Sequence, residues 1–204
     1  MFKSEINRQK LKEKYGDEII YVYPREIFAD IENLFSPQDE KFLSEINDKG
    51  FCISRFMAEY NSEIYQPIPY IIIINSRTRE IFVTRRIGGE ERLLNKFSFI
   101  GGHTNYTDAK IGNAIMNAAY RELGEEIFYT PTKGKNLKFL GTLKDENSNT
   151  SEHIGFIFIQ EVDNAHVREV KNLEGIWLSI DEAVKRIDEF ESWGQILIDE
   201  MKRG

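Results

Sequence analysis

Apolar and polar positions in this chain alternate with a period of two in several short runs and recur every three to four residues in others, so strands and helices are expected to mix along its length. Residues 5 to 15 read as a short helix and Ile19 to Tyr23 as a strand. Ser36-Pro37-Gln38-Asp39 reads as a helix start. Ser36 can accept from free N–H groups, Pro37 suits the first helical position, and Asp39 puts negative charge in the first turn. Gly50 supplies a stop, and the alternation in Phe51-Cys52-Ile53-Ser54 predicts a strand with Cys52 buried. Further strands are expected at Tyr70 to Asn75, Glu80 to Arg85 and Phe97 to Ile100, the first two joined as a hairpin through Ser76-Arg77-Thr78-Arg79. A helix is expected over roughly Asp108 to Phe128, then strands near residues 137–143, 154–160 and 176–178. Ser179-Ile180-Asp181-Glu182 has capping-box spacing and opens a C-terminal helical segment that Gly194 could interrupt. Elements in this order predict α/β (α+β) layers around one sheet.

Size and charge narrow the picture. A chain of 204 residues holds one sizeable core and little more, with no repeat or Gly/Ser linker to divide it. The expected organisation is an N-terminal α/β extension, residues 1–66, packed on a core of residues 67–204. A net charge of -7 without a block of like charges argues against a nucleic-acid polymer or a membrane surface as partner. The longest apolar stretch, Ile68 to Ile74, is too short to span a bilayer, and residues 1–6 have no signal-like apolar run, so a cytoplasmic location is expected. Oligomeric state is open, with a homodimer the commonest form.

The chemistry concentrates between Gly101 and Ile127. At about 100° per residue, Ile111, Ala114, Ile115, Ala118 and Ala119 define one helix face, and Glu122, Glu125 and Glu126 continue it. Clustered carboxylates repel one another and are disfavoured near a helix C-terminus. A hard divalent cation with oxygen ligands offsets both costs, whereas a solvated acidic helix end is the bland alternative. Gly101-Gly102 at the end of the Phe97–Ile100 run lets backbone approach a bound group closely, and Arg85, Arg86, Arg92 and Lys96 lie upstream where they could meet phosphate oxygens.

Gly102, then Arg121-Glu122-Leu123-Gly124-Glu125-Glu126, resembles the Nudix box, whose usual form is Gly, five residues, Glu, seven residues, then Arg-Glu-apolar-any-Glu-Glu-any-Gly-apolar. Two positions depart from it. Ten residues separate Gly102 from Asn113, which stands where the box has Glu, and Phe128 stands where it has its closing Gly. Arg55 with Glu59, Gln66-Pro67-Ile68-Pro69-Tyr70, Gly88-Gly89-Glu90-Glu91-Arg92-Leu93, Gly101-Gly102-His103, Asp108 and His153-Ile154-Gly155 are similar to a bacterial subgroup of predicted phosphoesterases in which an expanded box loop is normal.

The resemblance implies a Nudix-type mixed-sheet sandwich and hydrolysis of a diphosphate linkage in a nucleoside-diphosphate-linked or similar small substrate, with Mg²⁺ or Mn²⁺ as cofactor. It assigns Glu122, Glu125, Glu126 and the Gly102 carbonyl to the metal, and has Arg121 orient a box carboxylate. Arg85, Arg86, Arg92, Gly101, Gly102 and His103 are the candidates for substrate contact, and His153 is a further one. Glu122, Glu146, Glu152 and Glu174 are all conceivable general bases, of which Glu122 is the expected one. The alternative from a different class is a catalytically silent Nudix-fold module that binds a nucleotide or protein partner, motivated by Asn113.

Overall fold

The computed structural model describes residues 5–88, 94–145, 152–168, 170–171 and 173–203. In chain order the regular elements are α1 (Glu5–Tyr15), β1 (Ile19–Pro24), β2 (Leu34–Pro37), α2 (Glu40–Ile46), β3 (Phe51–Ser54), α3 (Arg55–Ala58), β4 (Ile64–Asn75), β5 (Ile81–Arg86), β6 (Phe97–Ser98) and β7 (Ile100–Gly101). They continue with α4 (Ala114–Glu126), β8 (Ile127–Pro131), β9 (Lys138–Lys144), β10 (His153–Val167), β11 (Leu173–Leu178), α5 (Ile180–Lys185) and α6 (Ser192–Arg203). The strands form one mixed sheet with the central order β11-β5-β4-β10-β9-β2. Only the β4–β10 pair is parallel among these neighbours.

β4 is the spine, and its composition explains its place. Tyr70 to Ile74 are all buried, because alternate side chains enter cores on opposite faces of the sheet. Ile71 and Ile73 pack with Ile115, Ala119 and Leu123 of α4, together with the aromatic group Tyr21, Tyr23, Phe28 and Phe156. Tyr70, Ile72 and Ile74 pack on the other face with Phe97, Phe99, Phe190, Trp193 and Leu197, beneath α5 and α6. Two prolines are tolerated inside this strand because Gln66 N–H and its even-numbered neighbours face β10, whereas the odd-numbered positions face away. On that far side Pro67 has no strand partner, and its carbonyl accepts from Thr104 N and Oγ1.

β4 and β5 form the expected hairpin only near its turn, at Ile73↔Phe82 and Ile74↔Ile81. Beyond it they diverge, and the segment from Phe97 to Gly101 fills the gap. Ser98 pairs with Thr84 of β5, and Ile100 and Gly101 pair with Ile71 and Tyr70 of β4. This split in the sheet is where the cavity opens.

Several local expectations are corrected. Ser36 and Pro37 belong to β2, which pairs with β9, and the cap of α2 is Asp39, whose Oδ1 accepts from Phe42 N at 3.1 Å. Cys52 is exposed, since among the described residues β3 pairs with β1 alone. The helix expected from Asp108 begins as a 3-10 turn at Asp108–Lys110, breaks at Gly112 with φ +73°, and resumes as α4. Ile111, lying before that break, is 84% exposed and not part of the apolar face. Ser179 and Glu182 do form the capping box, but the C-terminal interruption falls between α5 and α6, and Gly194 is buried inside α6. Among the described residues, no helix is long and apolar enough to cross a membrane.

Candidate active site

Asn113 caps α4. Its Oδ1 accepts from Met116 N at 3.0 Å and its Nδ2 donates to the Leu43 carbonyl of α2 at 3.0 Å. The residue that departs from the box pattern is therefore a helix start, tied to the N-terminal part of the chain. At the other end of α4, Arg121 binds everything around it. Nε and Nη2 grip the buried Asp108 carboxylate at 3.0 and 2.9 Å, Nη2 also donates to the His103 carbonyl at 2.8 Å, and Nη1 donates to Glu122 at 2.6 Å and Glu125 at 2.9 Å. The net effect of these anionic partners is to hold the guanidinium proton more tightly than usual, against the opposing pull of burial.

Glu122 is buried against Gly102. A Cβ built at Gly102 would lie 2.6 Å from the Glu122 carboxyl carbon, so any larger residue there would displace the acid from this position. Burial pushes the Glu122 carboxyl up, Arg121 pulls it down, and the neighbouring charges of Glu125 and Asp108 push it up again. Glu125 is 60% exposed and leans on Arg121, whereas Glu126 lines a cavity. The three acids thus occupy three environments. Among the described residues no three His, Cys, Asp or Glu side chains already converge as a metal cage, because Arg121 draws Glu122 and Glu125 toward itself. The donor chemistry nonetheless fits a hard divalent cation: carboxylate oxygens, the backbone at Gly102, and a buried acid whose charge lacks full compensation.

The cavity, about 220 Å³, lies in the split of the sheet. Ile68, Phe99, Leu173 and Trp193 give it apolar walls, and Arg86, Lys96, Glu126 and Glu191 are its charged groups. Gly101, Gly102, His103 and His153 also line it. Arg86 and Thr84 share one face of β5, so the parity of the strand turns Arg85 away from the cavity, to pair with Glu174 on β11. Glu174, considered above as a base, is committed to that pair. Arg92 and Glu146 lie outside the described residues. Lys96 Nζ donates to the Asp188 carbonyl at 2.7 Å.

Glu191 had no signal in the sequence. It precedes α6 and reaches the cavity only because that helix folds back over the sheet. The Tyr70 hydroxyl donates to Glu191 and accepts from Phe99 N at 3.1 Å. Burial, and then the Glu191 charge, hold the Tyr70 phenol well above its ordinary range, so it stays a donor. Trp193 stands edge-on to Tyr70, with centroids 5.7 Å apart. His103 is half-buried at the cavity wall. Burial and then the charges of Arg55, His153 and Arg121 hold its pKa well below that of an ordinary imidazole.

Comparison with known proteins agrees with the box. The NUDIX domain model matches residues 65–199. Protein YmaB of Bacillus subtilis (strain 168) is 30% identical over 202 residues, covering 90% of this chain and 97% of the relative. The chain belongs to the Nudix hydrolase family. Among solved structures, Tm1382, assigned to the Nudix hydrolases, superposes with a TM-score of 0.77 at 24% identity over 90% of this chain and 98% of its own. The NUDIX domain of Shewanella oneidensis NrtR, complexed with ADP ribose, has a TM-score of 0.51 at 10% identity over 72% of this chain and 94% of its own.

Proposed function

We propose that this chain hydrolyses the diphosphate linkage of a nucleoside-diphosphate-linked or similarly small phosphorylated substrate, with Mg²⁺ or Mn²⁺ as cofactor. The observation that carries this reading is the placement of Glu126 in a cavity that also holds Arg86 and Lys96, next to the Glu122–Gly102 contact. Glu122, Glu125, Glu126 and the Gly102 carbonyl are the residues that would hold the cation. The cation, when bound, supplies charge neutralisation and a more acidic water.

The chain's own groups do the rest. Arg86 and Lys96 offset phosphate charge, and Ser98 and Thr84 lie within the same walls as polar contacts. Glu191, held in orientation by the Tyr70 hydroxyl, takes the proton of the attacking water. Arg121 keeps the acids in place and touches no substrate, because all of its donors are engaged. Ile68, Phe99 and Trp193 exclude bulk water, which strengthens each of these interactions. The cavity is smaller than the roughly 300–1,000 Å³ usual for whole ligands, so it takes the diphosphate end and a small adjoining group while the remainder lies outside.

The test is product release from a panel of nucleoside triphosphates, sugar nucleotides, dinucleotides and ADP-ribose, with Mg²⁺, Mn²⁺ or EDTA. Turnover that needs the metal and is lost in Glu126→Gln supports the proposal. Binding of a panel member without turnover, under every metal condition, would favour the silent-module alternative.

A further inference from the structure

His103 and His153 meet across the end of the cavity, one from the loop after β7 and one from the start of β10. Their Nε2 atoms are 3.3 Å apart, and His103 Nε2 is 2.9 Å from Oε1 of Gln66, a fully buried residue of β4. One proton on His103 Nε2 can serve the Gln66 oxygen or lie toward His153, but not both. Two ring nitrogens and an amide oxygen, each able to donate an electron pair, converge at this point. The Gln66 amide is held by its oxygen alone, since its buried Nε2 has no hydrogen-bond partner.

We propose that His103, His153 and Gln66 form a second metal site, for a first-row divalent ion of the zinc, cobalt or nickel type, with a remaining coordination position open to the cavity. The spacing is that of a ligand edge. Two imidazole nitrogens each ~2.0–2.1 Å from a tetrahedral ion stand ~3.3–3.4 Å apart, and the two Nε2 atoms already have that separation. The Gln66 oxygen, at 2.9 Å, subtends the smaller angle of an expanded coordination shell. Imidazole ligands prefer this group of metals, whereas the box carboxylates prefer Mg²⁺, so the two sites are chemically separable. Neutral imidazole is the ligating form. The Arg55 charge is itself shared with Glu18 at 2.9 and 3.0 Å and with Glu59 at 4.0 Å, which limits its repulsion of a cation. His103 and His153 both line the cavity, so a water or phosphate oxygen can complete the shell, as in sites that keep one position open. That role in the cavity rests on the proposed function. Metal binding itself does not.

Co²⁺ is titrated into the full chain in the presence of a large excess of Mg²⁺, with visible absorption as the readout, and the Zn²⁺-loaded chain is measured by X-ray absorption at the zinc edge. The expected result is one Co²⁺ per chain that Mg²⁺ does not displace, retained in the Glu122→Gln/Glu126→Gln double variant. Affinity should fall ~10²-fold or more in His153→Ala and His103→Ala, and less in Gln66→Leu, in line with losses at metal sites. Two imidazole scatterers should appear around zinc. Melting curves in EDTA establish that each variant folds, and if His153→Ala does not, the zinc-edge spectrum of the unaltered chain decides. Displacement of Co²⁺ by Mg²⁺, loss of binding in the box variant alone, or zinc without imidazole scatterers overturns the site and leaves a hydrogen-bonded imidazole pair only. Because none of these readouts is turnover, a chain inactive on every diphosphate could still hold Co²⁺, and an active one could fail to.

Discussion

The two sides of the C-terminal turn of α4 are built on opposite terms. On the Arg121 side every guanidinium donor has an acceptor, Asp108 is buried beneath it, and Glu122 fits against a glycine that leaves no spare volume. On the Glu126 side the carboxylate faces a cavity shared with a second acid, Glu191, and with Arg86 and Lys96. The first arrangement spends its charges on fixing the loop between Gly102 and α4 to the helix. The second turns its charges toward a cavity. Neighbouring acids of one motif therefore differ in kind, and substitutions on the two sides should separate activity from stability.

Glu191→Gln should have the largest effect. It keeps the acceptor for the Tyr70 hydroxyl but removes the base, so kcat should fall by ~10²-fold or more while the melting temperature hardly moves. Steady-state kinetics on an identified substrate checks this, and near-normal kcat would move the proton acceptor elsewhere. Glu126→Gln should lower kcat and kcat/KM together by ~10²-fold, again with little change in melting in EDTA. If it instead destabilised the fold, the contrast between the two sides would collapse.

Arg121→Lys tests the other side. Lysine keeps the charge and loses the planar fork, so stability should drop by roughly 2 kcal/mol, or ~4–8 °C in melting temperature for a chain of this size. Activity should fall with it through displaced acids. The smallest effect is on pH dependence. The His103 pKa in the folded protein lies well below the ordinary imidazole value, so the unfolded chain binds a proton that the native state refuses. Stability is complete above the ordinary value and declines as pH falls through it. Melting in EDTA should show that slope, and His103→Asn should flatten it.

Much of the frame was readable from local pattern. The β4–β5 hairpin, the capping box at Ser179 and the box helix each depend on neighbours in sequence, where alternation and capping chemistry act. Errors arose where a residue's fate depended on what packs beside it. Cys52 has the alternation of a buried strand position, yet among the described residues β3 pairs with β1 alone. Ile111 has the right helical angle, but Gly112 breaks the helix before that angle can apply. Arg85 and Arg86 are indistinguishable as neighbouring cations until the strand assigns them to opposite faces.

The sequence by itself determined the class of chemistry, because Arg121-Glu122-Leu123-Gly124-Glu125-Glu126 after Gly102 is a short-range pattern whose residues must lie within two turns of one helix. Only the tertiary structure decided which acid faces the cavity, that Asn113 caps a helix, that Tyr70 and Glu191 line the same cavity, and that His153 lies beside His103. Those assignments come from long-range contacts: the parallel pairing of β10 with β4 brings His153 beside Gln66, and α6 laid across the sheet brings Glu191 to Tyr70. Helical and strand periods fix directions only within an element. Directions between elements are set by burying both faces of β4 at once, a requirement no single segment carries.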